Sequence, residues 1–155
     1  MIAPEISILK VEDCAEVREV FKECLAICEE IGSFQGFFSS VGKASGDYIV
    51  IAKSDGNIVG AMTVESFERT LFIICTIVKP DMQRRGISRA MLRHLEEHGK
   101  GHDSVCSSIL CSNPASVESR KKMGFDMREI GGSFIEAKKR INPAVATKEI
   151  LESGR

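Results

Sequence analysis

The stretch Val78-Lys79-Pro80-Asp81-Met82-Gln83-Arg84-Arg85-Gly86-Ile87-Ser88 decides how this chain is read. It ends an apolar run that begins at Leu71, and it precedes Ile87, Met91 and Leu95, which recur four apart with Ala90 beside them. An apolar run stopped by proline reads as a strand, and the four-residue spacing reads as one face of a helix over 86–98. A helix start carries unpaired N–H groups and about half a positive charge. A polar loop curling onto that start aims several N–H groups at one point, which suits a pyrophosphate. Gly86 permits close backbone approach, Ser88 can donate a hydroxyl, and Arg84, Arg85 and Arg89 add attraction. The same spacing also describes a plain strand–turn–helix with a solvated basic face.

Working outward, 48–52 and 58–64 read as strands joined by the hairpin signal Asp55-Gly56. A turn around Glu68-Arg69 returns the chain as 71–78, apolar on both faces as a covered central strand would be. Residues 6–10 read as a short strand with Ile6 and Ile8 on one face. Asp13 and Glu16 form a capping pair, followed at helical spacing by Cys14, Val17, Phe21, Cys24, Leu25 and Cys28, ending near Gly32. The stretch 32–46, with Phe34, Phe37 and Phe38, reads as a short helix or a loop. Downstream, Gly99 and Gly101 close the helix and 105–111 is a strand. Asn113-Pro114 opens a helix to Met123, and 125–130 pairs with 133–139 across Gly131-Gly132. Residues 144–155 read as a surface helix or a frayed tail. Meander strands followed by helix–strand crossovers imply a mixed sheet with helices on its faces.

At 155 residues, 43% hydrophobic and 28% charged, the chain fits one domain that is neither disordered nor membrane-like. No apolar run reaches the roughly 20 residues of a spanning helix, and the first residues lack a signal-peptide pattern. The formal charge of −1 and pI of about 6.3 give no overall pull toward nucleic acid or anionic lipid. A local basic patch forms at Lys79, Arg84, Arg85, Arg89 and Arg93. Six cysteines without a CxxC pair read as reduced, mostly buried thiols of a cytoplasmic protein.

The run Gln83-Arg84-Arg85-Gly86-Ile87-Ser88, preceded by Val78-Lys79-Pro80, resembles the acetyl-coenzyme A loop of the GNAT superfamily of N-acetyltransferases, written Q/R-x-x-G-x-G/A. Asn113, Ser116 and Lys122-Met123-Gly124-Phe125 resemble that family's N-x-x-A/S helix ending in G-F, and the order of elements matches over 6–141. The resemblance implies an α/β (α+β) fold over 1–141, with 142–155 as a C-terminal tail or short helix. Its sheet would be mixed, mostly antiparallel and twisted, of about six or seven strands with helices on both faces. It implies that the strand 71–78 splays from 105–111 and admits pantetheine. Backbone groups of Ile77 and Val78 would meet that arm, and Gln83, Arg84, Arg85, Gly86, Ile87 and Ser88 would hold the pyrophosphate. Asn113 and Ser116 would orient the cofactor. Whether Arg84 and Arg85 touch phosphates or only add field stays open.

The activity so implied is acetyl transfer from acetyl-coenzyme A to a primary amine of a small molecule or peptide, through a tetrahedral intermediate. A backbone N–H near Val78 is the expected oxyanion donor. Many relatives carry a tyrosine seven residues after the asparagine to protonate the leaving sulfur. Here that position is Arg120, which stays protonated and can stabilise a thiolate only electrostatically. The central strand offers no carboxylate. Glu65 and Glu68 at the end of the preceding strand are therefore the base candidates, with Glu129 a further one, against the alternative of solvated surface carboxylates. Cys111 is either a nucleophilic relay or, the favoured reading, a small buried thiol under pantetheine. His94-Leu95-Glu96-Glu97-His98 matches a zinc motif, H-x-x-E-H, but lies on the far half of the phosphate-facing helix, so no metal is expected. Neither nucleic acid nor membrane is expected as a partner, and Phe34, Phe37 and Phe38 read equally as core or as the surface of a homodimer. The competing class is a non-catalytic acyl-coenzyme A sensor of the same fold.

Overall fold

The computed structural model describes residues 3–12, 14–31, 46–99, 101–112 and 114–141. Over these the chain runs β1 (Glu5–Lys10), α1 (Ala15–Ile31), β2 (Tyr48–Ser54), β3 (Asn57–Phe67) and β4 (Thr70–Val78). It continues as α2 (Ile87–His98), β5 (Ser104–Leu110), α3 (Pro114–Lys122), β6 (Asp126–Glu129) and β7 (Phe134–Arg140). A short 3-10 turn, Pro80–Met82, joins β4 to α2. Asp13 of the expected capping pair, the three phenylalanines at 34, 37 and 38, Asn113 and the tail 142–155 lie outside the described residues. No helix among the described residues is long and apolar enough to cross a membrane.

The strands form one sheet in the order β1-β2-β3-β4-β5-β7-β6. Every neighbouring pair is antiparallel except β4 and β5. The mixed, mostly antiparallel sheet expected from the sequence is therefore present, with helices on both faces. On one face Ile87, Met91, Leu92 and Leu95 of α2 and Val117 of α3 pack on Val50, Met62, Val64, Leu71 and Val105. On the other, Val20, Cys24, Ile27 and Cys28 of α1 pack on Ile49, Ile51, Ala61 and Ile77. β2 feeds both cores because successive side chains of a strand point to opposite faces. Leu25, expected in the buried stripe of α1, is 41% exposed. The stripe instead follows Val17, Val20, Cys24, Ile27 and Cys28, the spacing a 3.6-residue period demands.

Gly60 sets how closely α2 lies on the sheet. A Cβ there would stand 2.9 Å from Ile87 Cγ2 and 3.2 Å from Met91 Cε, so only glycine admits the helix at this depth. The lower ends of β4 and β5 are tied together. Glu68 and Arg69 both take positive φ (46° and 65°) in the tight β3–β4 turn, as the turn reading required. Arg69 then donates Nε and Nη2 to Asp103, each at 2.9 Å, and the Asp103 N–H returns to the Arg69 carbonyl at 2.7 Å. The Arg69 guanidinium holds the Asp103 carboxyl below its ordinary range.

Candidate active site

β4 pairs with β3 along its whole length but with β5 only over Thr70–Ser104, Leu71–Val105, Phe72–Cys106 and Ile73–Ser107. Beyond Ile73 the two parallel strands part. The physical cause is a bulge. Val64 of β3 faces Ile73 while Thr63 faces Cys75, so Ile74 is an extra residue on β4. A bulge bends its strand and interrupts the alternation of faces. Leu71 and Ile73 accordingly lie in the α2-side core, whereas Cys75 and Ile77 lie with the α1-side core.

The parted half of β4 has backbone groups to offer. Lys79 N–H bonds the Val59 carbonyl at 2.8 Å, and antiparallel strands exchange bonds at every second pair. Ile77 therefore spends its N–H and C=O on Ala61, while Thr76 and Val78 turn theirs toward the side of β5, where no β5 residue pairs with them. This revises the expectation from the sequence. Of Ile77 and Val78, only Val78 faces the gap, and Thr76 joins it. Thr76 was legible in principle, as the residue two before Val78.

The loop after β4 curls tightly. Met82 N–H reaches the Lys79 carbonyl at 2.8 Å, Gln83 Nε2 donates to the Val78 carbonyl at 3.2 Å, and Arg84 and Gly86 take φ of 63° and 80°. Positive φ is costly for Arg84 and free for Gly86. Gly86 is the N-cap of α2 and makes no side-chain cap bond, so the first N–H groups of the helix face outward without a capping side chain.

These parts meet in a cleft of about 610 Å³. Thr76 and Val78 form one wall, residues 82–84 and 86–89 the mouth, and Ala115, Ser116, Ser119 and Arg120 of α3 the facing wall. Among the residues expected from the sequence, Val78, Gln83, Arg84, Gly86, Ile87, Ser88, Ser116 and Arg120 are brought together here. Arg85 is exposed and does not line the cleft. Ser119 was missed, although it lies one turn beyond Ser116 on the same helix. Arg89 also lines a smaller groove of about 280 Å³ between α2 and Ile6 of β1, with Gly86, Arg93 and His94.

None of the three carboxylate candidates lines the cleft. Glu65 is exposed on β3 opposite Phe72, on the α1 side of the sheet. Glu68 is in the turn below Thr70, at the opposite end of β4 from the parted half, which argues against it. Glu129 closes β6 and is exposed. Cys111 is exposed rather than buried, because the chain turns out of β5 there, its N–H bonded to the Ser133 carbonyl at 2.7 Å. The buried thiols lie elsewhere. Burial pushes Cys24 up to about 12 and the half-buried Cys75 to about 11, so neither is a nucleophile at neutral pH. His94 and His98 stack at 4.0 Å, and a His98 ring nitrogen contacts the His94 carbonyl at 3.0 Å. Among the described residues no group of three or more His, Cys, Asp or Glu is placed to hold a metal ion.

Arg120 is the charged side chain of the α3 wall. Burial drives its guanidinium below its ordinary value, opposed by the charge of Glu96. Its Nε is buried and has no hydrogen-bond partner among the described residues.

Residues 14–125 match the Acetyltransferase (GNAT) family. No curated protein sequence matches the chain significantly. Among solved structures, the PaiA N-acetyltransferase of Thermoplasma acidophilum in complex with coenzyme A superposes with a TM-score of 0.66 at 14% identity, covering 88% of this chain and 99% of that one. The ribosomal-protein-S18-alanine N-acetyltransferase of Escherichia coli gives 0.62 at 14%, covering 88% and 94%. Diaminobutyrate acetyltransferase EctA of Paenibacillus lautus, in complex with L-2,4-diaminobutyric acid and coenzyme A, gives 0.61 at 18%, covering 87% and 94%. At these identities the likeness is one of fold. The family match extends over well more than half of the sequence, and the chain belongs to the GNAT acetyltransferase family.

Proposed function

We propose that the chain is an N-acetyltransferase that moves an acetyl group from acetyl-coenzyme A to a primary amine of a small molecule or peptide. The observation that carries this reading is the gap where β4 parts from β5, with the backbone of Thr76 and Val78 turned into it and the uncapped start of α2 at its mouth. A pantetheine arm bears amides, and a free strand edge offers them donors and acceptors at β spacing. A pyrophosphate is an anion matched to the outward N–H groups of α2 and to the curl at 83–88. Gln83, Arg84, Gly86, Ile87 and Ser88 are assigned to it, with Arg85 adding field, and Asn113 and Ser116 are assigned to orienting the arm. When bound, acetyl-coenzyme A supplies the activated acyl group. The Val78 N–H then serves as the oxyanion donor for the thioester carbonyl.

Acceptors of the structural relatives include a ribosomal protein's alanine and diaminobutyric acid, so they do not choose one for this chain. The amine approaches from the α1 side of the gap, the face that carries Glu65 beside Phe72. Glu65 is assigned as the base, acting through water. Glu65→Gln should lower kcat by about a hundredfold in a thiol-release assay with a saturating amine. An unchanged kcat would exclude it.

The test of the whole reading is titration of the purified protein with acetyl-coenzyme A, followed by thermal stability and binding heat. A specific site should add about 2.7 kcal/mol of stability at 100 times its dissociation constant. Thiol release with a panel of amines then distinguishes an enzyme from a sensor. Absence of binding by acetyl-, propionyl- or free coenzyme A would sink the acyl-transfer reading while leaving the family assignment in place.

A further inference from the structure

At the closed end of the gap, polar groups are short of partners. Ser107 faces Ile73 in the last pair of the β4–β5 ladder. It is 6% exposed, and its Oγ has no hydrogen-bond partner among the described residues. Arg120, on the α3 wall, has the orphaned Nε described above. Behind it, Lys139 stands 3.2 Å from both carboxylate oxygens of Glu96, but only Oε2 is aligned to accept, and Oε1 is left without a hydrogen bond. Lys139 also donates to the Met123 carbonyl at 2.8 Å. The guanidinium carbon of Arg120 and the Lys139 ammonium each lie 5.8 Å from the centroid of the Phe125 ring.

Charge is therefore unbalanced. Glu96 is matched by Lys139, and Arg120 is a second cation with no carboxylate of its own in hydrogen-bond contact among the described residues. A desolvated cation is costly unless an anion reaches it, and the open side of Arg120 is the cleft. The pyrophosphate is a poor choice for that anion. Its expected seat is the start of α2 at Gly86, whereas the Glu96 whose charge acts on Arg120 is ten residues on, roughly 15 Å along the helix.

We propose that Arg120 stabilises the coenzyme A thiolate as it leaves, as a fixed cation and not as a proton donor. The proposal rests on the acetyl-coenzyme A reading. In the step concerned the amine nitrogen bonds to the thioester carbon, and the C–S bond breaks with both electrons passing to sulfur. The proton shed by the amine passes to water or the base, and Arg120 keeps all of its own. The Glu96–Lys139 pair and the Phe125 ring act as positioning groups that hold the guanidinium against the cleft.

A group that stabilises the departing thiolate must also acidify the bound product thiol. The experiment is ultraviolet titration of thiolate absorbance in the complex with coenzyme A, with calorimetric binding of coenzyme A and of desulfo-coenzyme A in parallel. The bound thiol of the wild type should be at least about tenfold more acidic than a free thiol of pKa about 8.5. Arg120→Gln should return the thiol to its free value and weaken coenzyme A about tenfold above that pH, leaving desulfo-coenzyme A unaffected. Arg120→Lys, which keeps the charge, should retain part of the shift. A bound thiol with an unshifted titration, or one equally shifted in Arg120→Gln, overturns the proposal alone. Failure of both compounds to bind the wild type overturns the acetyl-coenzyme A reading and this proposal with it.

Discussion

Replacing Gly86 with valine is expected to weaken coenzyme A binding by about a hundredfold, some 2.7 kcal/mol, while the chain stays folded. Two effects act together. Gly86 has φ of 80°, a conformation that costs an L-residue roughly 1–2 kcal/mol and a β-branched one more. The added atoms meet nothing of the protein, since no heavy atom lies within 4 Å of a Cβ built there. They enter instead the open space at the start of α2, which the proposed function assigns to a phosphate. Gly56→Val supplies the control, because Gly56 has φ of 79° and equally open surroundings but lies in the β2–β3 turn. Both variants should lose similar stability, and only the first should lose binding. Wild-type affinity in Gly86→Val would remove the loop from the cofactor site.

The largest stability effect is expected from Leu92→Ala. Leu92 is fully buried in α2 and belongs to the core that presses this helix onto the sheet. Truncation removes the transfer energy of the lost methyl groups and leaves a cavity, together about 3 kcal/mol. At this chain length that corresponds to a fall in Tm of about 10 °C. Leu25→Ala, at 41% exposure, should change stability by less than about 0.5 kcal/mol. Chemical denaturation of the two variants measures the contrast directly. A loss below about 1 kcal/mol at Leu92 would mean that α2 is not clamped as the structure has it.

Both predictions concern the same helix, and they draw on different kinds of information. Gly86 could be picked out of the sequence because the signals around it are local. Pro80 stops a strand, a glycine opens a helix, and Ile87, Met91 and Leu95 repeat at helical spacing. Periodic patterns together with turn, proline and glycine signals likewise marked the seven strands and three helices of the described residues to within a few positions at either end. The expectation of an anion at the start of α2 followed from these, since an uncapped helix start has the same physics wherever it occurs.

What the sequence by itself determined was the order of elements, the faces that most of them bury and the backbone loop that suits a phosphate. Tertiary structure alone decided how the gap opens. The extra residue Ile74 is defined only by pairing with Thr63 and Val64 of β3, and no periodicity within β4 announces it. Once it reverses the faces of the strand, Thr76 and Val78 look into the gap in place of Ile77. The insertion of β7 between β5 and β6 is equally invisible, because either strand of a hairpin has an edge to offer. The surroundings of Arg120 were hidden for a related reason. Lys139 is 43 residues from Glu96 in sequence, and charge balance in a buried site depends on groups that only folding brings together.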